Sequence, residues 1–238
     1  MHLFYIENPQ WINRKSGHIL LQGEEAKHAS KVLRLSVSDK VQATDGLGNW
    51  FECTIDDVQK KQCLLKIDKH ISEKGKRNYK IHIAVAPTKN IKRFEWFLEK
   101  ATEMGIDEIT PIITKHSERK VLKQERSNTI ITSAMKQSLK AYHPILNEAK
   151  SYTTFLENIK EEELYIAHLI DETQKDLKQE YKKGKDVCIL IGPEGDFNNE
   201  EVTLAQNKGF IAVKMGIERL RTETAAMVAC NTIHFIND

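Results

Sequence analysis

Short runs in which apolar and polar residues alternate fill the first 72 residues of the chain. Alternation with a period of two, together with many β-branched and aromatic residues, is typical of strands that bury one face. The pattern predicts strands at residues 3–6, 18–21, 40–44, 49–58 and 62–71. It also predicts a helix at about 24–33 and a turn at Asp45, Gly46 and Gly48. Many short strands with one helix predict a compact β-barrel.

A different pattern begins at Tyr79, where apolar strands alternate with amphipathic helices. One stripe with the helical period consists of Phe94, Phe97, Leu98, Ala101 and Met104, and it ends at Gly105, a residue type that commonly terminates helices. Strands are predicted at 81–86, 108–113, 164–167, 187–191 and 211–214, and further helices at 123–138, at 199–207 and from 222 onward. Such alternation predicts an α/β fold with a mostly parallel sheet covered on both faces. The polar segment 72–78 is the predicted boundary between domains at 1–72 and 73–238.

The composition is that of a globular protein of 238 residues, 40% hydrophobic and 29% charged, with 11 Gly and 5 Pro. These proportions exclude collagen-like, low-complexity and largely disordered proteins. The first residues show no basic segment followed by an apolar one, and no stretch reaches the ~18 apolar residues that a membrane span requires. We therefore expect a cytoplasmic protein whose four scattered cysteines are reduced, buried thiols.

The charge is unevenly distributed although the net charge is only +2. Residues 73–150 carry 16 Lys and Arg against 9 Asp and Glu. The densest run consists of Lys115, Arg119, Lys120, Lys123 and Arg126, and Lys140 extends it. Such density favours contact with nucleic-acid phosphates, because each neutralised phosphate releases counterions. Charge alone leaves open that the run is a solvated helix face or meets another acidic partner.

Two loops carry the most specific signals. The first follows the apolar strand 187–191 and contains Gly192, Pro193, Glu194 and Gly195. In an open α/β sheet, ligands bind in the crevice at the carboxyl ends of the strands, and glycines there let the backbone approach a ligand closely. The loop is neither a GxGxxG dinucleotide fingerprint nor a GxxxxGK[ST] phosphate loop, so NAD and ATP are disfavoured. An ordinary strand-to-helix turn is the simpler interpretation of the glycines alone.

The second loop, at 215–226, follows the next strand and enters the last helix. Thr222 is predicted to cap that helix, and Glu223 suits the positive end of its dipole. Arg221 lies where the same dipole opposes a cation, which indicates a functional role. No HExxH, GxSxG or CxxC motif is present, so no metal is predicted. The more isolated histidines, His28, His116, His143 and His168, are predicted to be structural or surface residues.

The two loops, IGPEGDF at 191–197 and MGIERLRTETAA at 215–226, resemble the paired signatures of the 16S rRNA (uracil-N3)-methyltransferase family, known as RsmE, in the SPOUT superfamily. Residues 28–34 and 45–48 resemble its N-terminal PUA-like barrel, and residues 100–105 resemble the helix that opens its catalytic domain. The resemblance implies a PUA-like RNA-binding β-barrel at 1–72 followed by a SPOUT-type α/β methyltransferase domain at 73–238 that contains a deep trefoil knot.

The resemblance also implies an activity. Enzymes of this family use S-adenosylmethionine (SAM) to methylate N3 of a uridine in 16S rRNA, at decoding-region position 1498 of the small ribosomal subunit, and act as homodimers. By resemblance, the SAM contacts fall on Leu190, Ile191, Gly192, Gly195, Met215, Gly216, Leu220, Arg221, Thr222 and Ala225. Another SPOUT methyltransferase, acting on tRNA or 23S rRNA, and a non-catalytic RNA-binding protein remain alternatives.

Methylation at N3 requires a proton acceptor and a cation, since this nitrogen carries a proton at neutral pH. Arg221 is the predicted cation, and Glu194 and Glu223 are the predicted acceptors. Both glutamates also have simpler structural interpretations. The predicted rRNA contacts are Arg34, Lys115, Arg119, Lys120, Lys123, Arg126, Gln137 and Lys140.

Overall fold

The computed structural model describes residues 2–169 and 175–238, which form two compact units. The first unit comprises Met1–Lys76 and Met135–His143, and the second comprises Arg77–Ala134 and Pro144–Asp238. The predicted division at 72/73 assigned residues 135–143 to the second domain. In the structure this segment belongs to the first unit, because the carbonyl of Ala141 accepts hydrogen bonds from Gly48 N (2.9 Å) and Thr44 Oγ1 (3.1 Å).

The first unit contains a six-stranded sheet in the order β1-β4-β5-β6-β3-β2, antiparallel except for the β1–β4 pair. Its strands are β1 (Leu3–Tyr5), β2 (Ile12–Asn13), β3 (His18–Gln22), β4 (Lys40–Thr44), β5 (Trp50–Val58) and β6 (Gln62–Ile71). Alternate residues of these strands, such as Leu21 and Leu65, build a core against helix α1 (Gly23–Lys27). The helix predicted at 24–33 is divided, because the chain continues from α1 into a π-helical turn at His28–Val32.

The second unit contains an entirely parallel sheet in the order β10-β8-β7-β13-β11-β14-β12, with β9 paired to β8. Its strands are β7 (Ile81–Val85), β8 (Glu108–Ile113), β9 (Ile145–Leu146), β10 (Lys150–Ser151), β11 (Glu163–Ala167), β12 (Lys175–Asp176), β13 (Val187–Ile191) and β14 (Ile211–Lys214). The central strands β7 and β13 are buried at every residue, as expected for parallel strands covered on both faces. The predicted α/β fold with a mostly parallel sheet is therefore confirmed, as is a first unit built from short strands and one short helix.

Within the described residues, six helices follow β7: α2 (Ile91–Met104), α3 (Gln124–Gln137), α4 (Tyr152–Leu156), α5 (Leu177–Glu180), α6 (Asn199–Asn207) and α7 (Thr222–Asn237). One face of the sheet, which includes Ile83 and Ile189, packs against α2 and α7. The opposite face, which includes Ala84 and Leu190, forms a separate core with residues of α4 and α6. Successive strand residues point to opposite faces, so each central strand contributes to both cores.

Local signals set the ends of these helices. Asn90 caps α2 by accepting from Lys92 N, and Gly105 ends it with φ of 96°. Asn198 and Glu201 form a capping box at the start of α6. All four cysteines are buried and free. No helix within the described residues is long and apolar enough to span a membrane.

Candidate functional site

A cavity of about 370 Å³ opens at the carboxyl ends of β11, β13 and β14. Most of its lining comes from the loops that follow these three strands, and the start of α2 contributes one arginine. The lining residues are Arg93, Ala167, His168, Leu169, Ile191, Gly192, Pro193, Glu194, Asp196, Val213, Lys214, Met215, Gly216, Ile217, Glu218, Arg219, Leu220, Arg221, Thr222 and Ala225.

The loop after β13 is folded back on itself at Gly192. A Cβ atom on Gly192 would lie 3.1 Å from the ring of Phe197 and 3.3 Å from Asp196 Oδ1, so a side chain there forces its neighbours to move. Asp196 has a left-handed φ of 60°, and its carboxylate accepts from Leu169 N (2.9 Å) and Phe197 N (2.8 Å). These bonds fix the loop after β13 to the loop after β11.

The loop after β14 depends on a different property of glycine. Gly216 has φ of +121°, and no atom lies within 4 Å of the position that its Cβ would take. The site therefore needs the conformational freedom of Gly216, rather than the missing volume that the sequence suggested.

A buried hydrogen bond joins the two loops. Thr222 Oγ1 donates to the carbonyl of Gly192 at 3.0 Å. Thr222 was predicted to cap the last helix, but Arg221 occupies the N-cap position and Thr222 is the first residue of α7. The Thr222 hydroxyl therefore stabilises the cavity wall instead of the helix end.

Eight of the ten residues predicted to contact SAM line this cavity: Ile191, Gly192, Met215, Gly216, Leu220, Arg221, Thr222 and Ala225. Leu190 and Gly195 lie outside the lining. Leu190 is buried on the face of the sheet that packs with Phe210, because its side chain alternates with that of Ile191. Gly195 instead lies against His116, whose Nδ1 donates to the Gly195 carbonyl at 3.0 Å.

The three predicted catalytic residues are separated by the structure. Arg221 lines the cavity and is exposed, and its guanidinium has no hydrogen-bond or ion-pair partner among residues 2–169 and 175–238. Glu194 also lines the cavity, and its Oε1 accepts from Lys89 N at 3.0 Å. Glu223 lies outside the lining and is buried, with Oε1 3.8 Å from Arg93 Nε.

Several residues of the lining were not predicted as site residues, and Arg93 and His168 are two of them. Arg93 lies in the first turn of α2, outside both loop motifs. Its only sequence signal is a cation at a helix start, where the helix dipole disfavours positive charge, which is the signal that singled out Arg221. His168 was predicted to be structural or exposed, but it is buried and lines the cavity directly after β11.

The predicted RNA-binding residues of the second unit follow the carboxyl end of β8. Three have partners within the protein: Arg119 donates to the carbonyls of Thr88 (3.1 Å) and Lys89 (2.8 Å), Arg126 pairs with Glu95, and Lys115 Nζ lies 3.9 Å from Glu200. The hydrogen bond from Arg126 lowers the pKa of Glu95. Lys120 and Lys123 are exposed and form no ion pair with any described residue.

The remaining predicted RNA contacts belong to the first unit. Arg34 is exposed and has a left-handed φ of 53°. Gln137 is exposed and Lys140 is half-buried, and both lie in the segment Met135–His143 that packs on the sheet of that unit.

A second polar cluster lies at the opposite, amino-terminal edge of the parallel sheet. His82 Nδ1 is hydrogen-bonded to the carboxylate of Glu161, and its Nε2 lies 2.8 Å from Thr110 Oγ1. Burial disfavours the ionised form of Glu161, but the hydrogen bond and charge of His82 outweigh it and lower the pKa of Glu161 to about 2. The side chains of His82, Glu161 and Cys188 each offer an atom that could bind a metal ion, and these atoms lie within 4.8 Å of one another. The spacing of these residues in the sequence did not indicate this grouping.

Two family models match the chain. A model described as an RNA methyltransferase domain matches residues 75–234, and one described as an RNA methyltransferase PUA domain matches residues 21–68. Among curated proteins, the ribosomal RNA small subunit methyltransferase E of Rickettsia conorii is 26% identical over 91% of this chain and 89% of its own.

Solved structures agree with these matches over the full length. A probable rRNA-methyltransferase from Porphyromonas gingivalis is 38% identical, with a TM-score of 0.89 over 100% of this chain and 98% of its own. A putative methyltransferase from Legionella pneumophila, solved with the bound cofactor SAM, is 28% identical, with a TM-score of 0.86 over 99% of this chain and 97% of its own.

Proposed function

The chain belongs to the RNA methyltransferase family whose domain model matches residues 75–234, and from this premise we propose that it uses SAM to methylate N3 of a uridine in 16S rRNA. The observation that carries the proposal is the cavity formed by the two glycine-containing loops at the carboxyl edge of the parallel sheet. The curated relative from Rickettsia conorii is named for the small-subunit rRNA, and the Legionella pneumophila structure holds SAM. Both likenesses extend over most of this chain.

The residues of the cavity fit SAM, which combines a planar adenine ring, whose faces pack on apolar side chains, with a charged amino-acid end. A volume of about 370 Å³ lies within the usual range for small-molecule sites. Ile191, Leu220 and Ala225 supply apolar surface, and the carboxylate of Asp196 suits the positive charge of the cofactor. We propose that the loops 192–196 and 215–221 hold the cofactor largely through backbone groups. When bound, SAM supplies a methyl group activated by a positively charged sulfur.

The protein must make uracil N3 nucleophilic. In the proposed reaction, the N3 proton passes to an acceptor, and the N3 electron pair then takes the methyl group as the bond to sulfur breaks and a neutral thioether leaves. We propose Arg221 as the cation that holds a uracil carbonyl oxygen, because it lines the cavity and its guanidinium has no partner in the part of the chain that the structure describes. Glu194 is the acceptor candidate that also lines the cavity, whereas Glu223 lies outside the lining and is paired with Arg93.

We further propose that the second domain is knotted. Strand β14 lies beside β11, but the helix that follows it packs against α2, β7 and β13 on the far side of β11. The chain therefore crosses back over the carboxyl edge of the sheet, where Thr222 is bonded to Gly192. Such a return is what threading through an earlier loop requires.

Exposed apolar side chains support a homodimer as part of the same proposal. Trp96 on α2 is 45% exposed, and Phe235 on α7 is 81% exposed. The two helices pack against each other, so their outer faces form a surface on which a second copy could pack. Because the proposed substrate is ribosomal, the enzyme would act in the cytoplasm.

The proposal is tested by incubating the purified protein with SAM and small ribosomal subunits from a strain that lacks the corresponding gene. We expect N3-methyluridine in 16S rRNA by mass spectrometry of RNA digests, and much less with Arg221→Ala. Methylation of tRNA or 23S rRNA instead would establish one alternative enzyme. Binding of RNA without SAM binding or methyl transfer would establish a non-catalytic protein.

A further inference from the structure

Three arginines line the cavity, and one of them differs from the others in how it is held. Arg219 and Arg221 are exposed residues of the loop after β14, and their guanidinium groups have no partner among the described residues. Arg93 belongs to the first turn of α2, and its Nε lies 3.8 Å from Glu223 Oε1. The cavity is thus lined by two arginines on a loop and by Arg93, which is paired with a glutamate outside the lining.

Helix stability by itself would not favour an arginine at position 93. Cations are disfavoured in the first turn of a helix, where the dipole is positive, and Arg93 is the third residue of α2. A residue that opposes the local electrostatics yet faces a cavity indicates a role in binding. Its side chain is 37% exposed, so a ligand in the cavity can reach it.

Glu223 is the carboxylate paired with Arg93. It is 8% exposed, and its Oε2 is buried without a hydrogen-bond partner in the described part of the chain. A buried carboxylate oxygen without a donor costs free energy, so the residue is best explained by a charge that it must hold. Arg93 is the cation paired with it, and Glu223 lies outside the lining. Glu223 therefore acts on the cavity through Arg93.

We infer that Arg93 is a second cation for the target uracil and that Glu223 positions it. The inference rests on the proposed N3 methylation. Loss of the N3 proton spreads negative charge over N3 and both flanking carbonyl oxygens, while N3 itself must stay open to the methyl group. One arginine can hold only one of these oxygens, so Arg221 and Arg93 together can hold O2 and O4 on the two sides of N3. Glu223 then serves as a positioning residue and not as the proton acceptor.

The inference is tested by steady-state kinetics on small subunits, with SAM affinity measured by calorimetry. Arg93→Met is expected to lower kcat by about 10²-fold, the usual cost of one lost stabilising donor, while KM and SAM affinity change little. Arg93→Lys should recover part of the loss because it restores a charge. Lys100→Met, on the same helix but paired with Glu103 and outside the lining, is the matched control and should retain wild-type kinetics.

A double-mutant cycle separates positioning by Glu223 from direct catalysis. Glu223→Gln should lower kcat by about 10-fold in the wild-type background and have no further effect in Arg93→Met, because coupled residues are not additive. An equal loss in both backgrounds would overturn the inference and make Glu223 an independent catalytic group. A loss of SAM affinity that matches the loss of kcat in Arg93→Met would assign Arg93 to the cofactor, which also overturns it.

The failure of the inference and the failure of the proposed function are distinguishable. If the wild-type protein forms no N3-methyluridine, the proposed function fails. If the wild type is active and Arg93→Met keeps its kcat, the inference alone fails. Thermal unfolding of each variant identifies a fall in kcat that comes from misfolding. If Arg93→Met is misfolded, Arg93→Lys, which keeps the charge and most of the side-chain volume, is the deciding variant: a kcat clearly above that of Arg93→Met supports the inference, and a kcat no higher than that of Arg93→Met in a folded Arg93→Lys protein overturns it.

Discussion

The two edges of the parallel sheet in the second unit use charged residues in opposite ways. At the amino-terminal edge, His82 is bonded to Glu161 and Thr110, and Arg77 donates to Asp107 Oδ2 at 2.7 Å. At the carboxyl edge, Arg219 and Arg221 face a cavity with no partner in residues 2–169 and 175–238. The pairs at the amino-terminal edge stabilise the fold, whereas Arg219 and Arg221 at the carboxyl edge are available to a ligand.

The difference extends to the backbone. At the amino-terminal edge, Asp107 Oδ2 also accepts from Ile81 N (2.8 Å), and Asp186 Oδ1 accepts from Lys80 N (2.8 Å), so carboxylates fix the starts of strands. Burial raises the pKa of Asp107 in spite of the adjacent Arg77. At the carboxyl edge, the backbone turns at Gly192 and Gly216, and both residues line the cavity. Stability and function can therefore be tested at separate places on one sheet.

The largest effect is expected at the amino-terminal edge. Glu161→Ala leaves the buried His82 without its carboxylate partner, and we expect the free energy of unfolding to fall by about 3 kcal/mol. The measurement is urea denaturation of both proteins, and an m-value equal to that of the wild type shows that unfolding remains two-state. The folded variant should bind SAM as the wild type does. A loss below about 1 kcal/mol would show that the pair contributes no more than an exposed one.

Arg221→Ala, at the carboxyl edge, should reduce turnover and leave stability nearly unchanged. We expect kcat to fall by about 10²-fold, equivalent to about 2.7 kcal/mol, with a change in unfolding free energy within about 0.5 kcal/mol. Arg77→Ala is the matched control, because it removes an arginine that is bonded to Asp107 and the Gly105 carbonyl. That variant should lose stability and keep its kcat. Loss of SAM affinity in Arg221→Ala without loss of kcat would reassign Arg221 to the cofactor.

Gly216→Ala should weaken SAM binding by about 10-fold, because a left-handed φ strains any residue with a Cβ by roughly 1–2 kcal/mol and the loop relaxes by moving. Gly75 is the matched control, since it has φ of +75° and equally open surroundings in the first unit. Gly75→Ala should show the same loss of stability and an unchanged SAM affinity by calorimetry. Equal SAM affinities in both variants would remove Gly216 from the site.

Much of this architecture could be predicted from the sequence. Strands β8, β13 and β14 have the predicted bounds, and α2 ends at Gly105 as expected. These successes share a cause: apolar periodicity and capping residues act locally, within a few residues of the element that they define. Eight residues of the two loops face one cavity for the same reason, since parallel strands place their carboxyl ends at one edge.

The features that the sequence concealed depend on contacts between distant residues. Arg93 reaches the cavity because β7 pairs with β13 and so places the start of α2 beside the loop after β13, and nothing in a single sequence gives that strand order. Thr222 looks like a helix cap, but its hydroxyl bonds to Gly192, 30 residues earlier. Residues 135–143 begin within the predicted helix 123–138 and yet join the first unit, where the Ala141 carbonyl accepts hydrogen bonds from Thr44 and Gly48.

Acid should expose the contribution of the Glu161 pair. The folded pKa of Glu161 is about 2, below its ordinary 4.5, so the stabilisation is complete above about 4.5 and is lost as pH falls through the folded pKa. We expect the stability difference between wild type and Glu161→Gln to shrink by about 0.8 kcal/mol between pH 7 and pH 4. Asp107, whose raised pKa gives the opposite pH dependence of stability, is present in both proteins, so its contribution cancels in the difference. A difference that stays constant over this range would contradict a lowered pKa.

The smallest expected effect concerns single exposed lysines, and it sharpens the contrast between the edges. Lys123 follows the carboxyl end of β8 and has no ion-pair partner in the described chain, whereas Lys185 precedes β13 at the amino-terminal edge and lies 2.8 Å from Glu162. If the basic run contacts rRNA phosphates, each lost contact should reduce the slope of log affinity against log salt by about 0.9. Lys123→Ala should therefore flatten the slope by nearly one, measured by titrating an rRNA fragment at several salt concentrations.

Lys185→Ala removes the same charge and should leave the slope unchanged. If both variants flatten it equally, only net charge matters and the basic run is a solvated surface; if Lys123→Ala alone does so, phosphate contacts lie at the same edge of the sheet as the unpaired arginines.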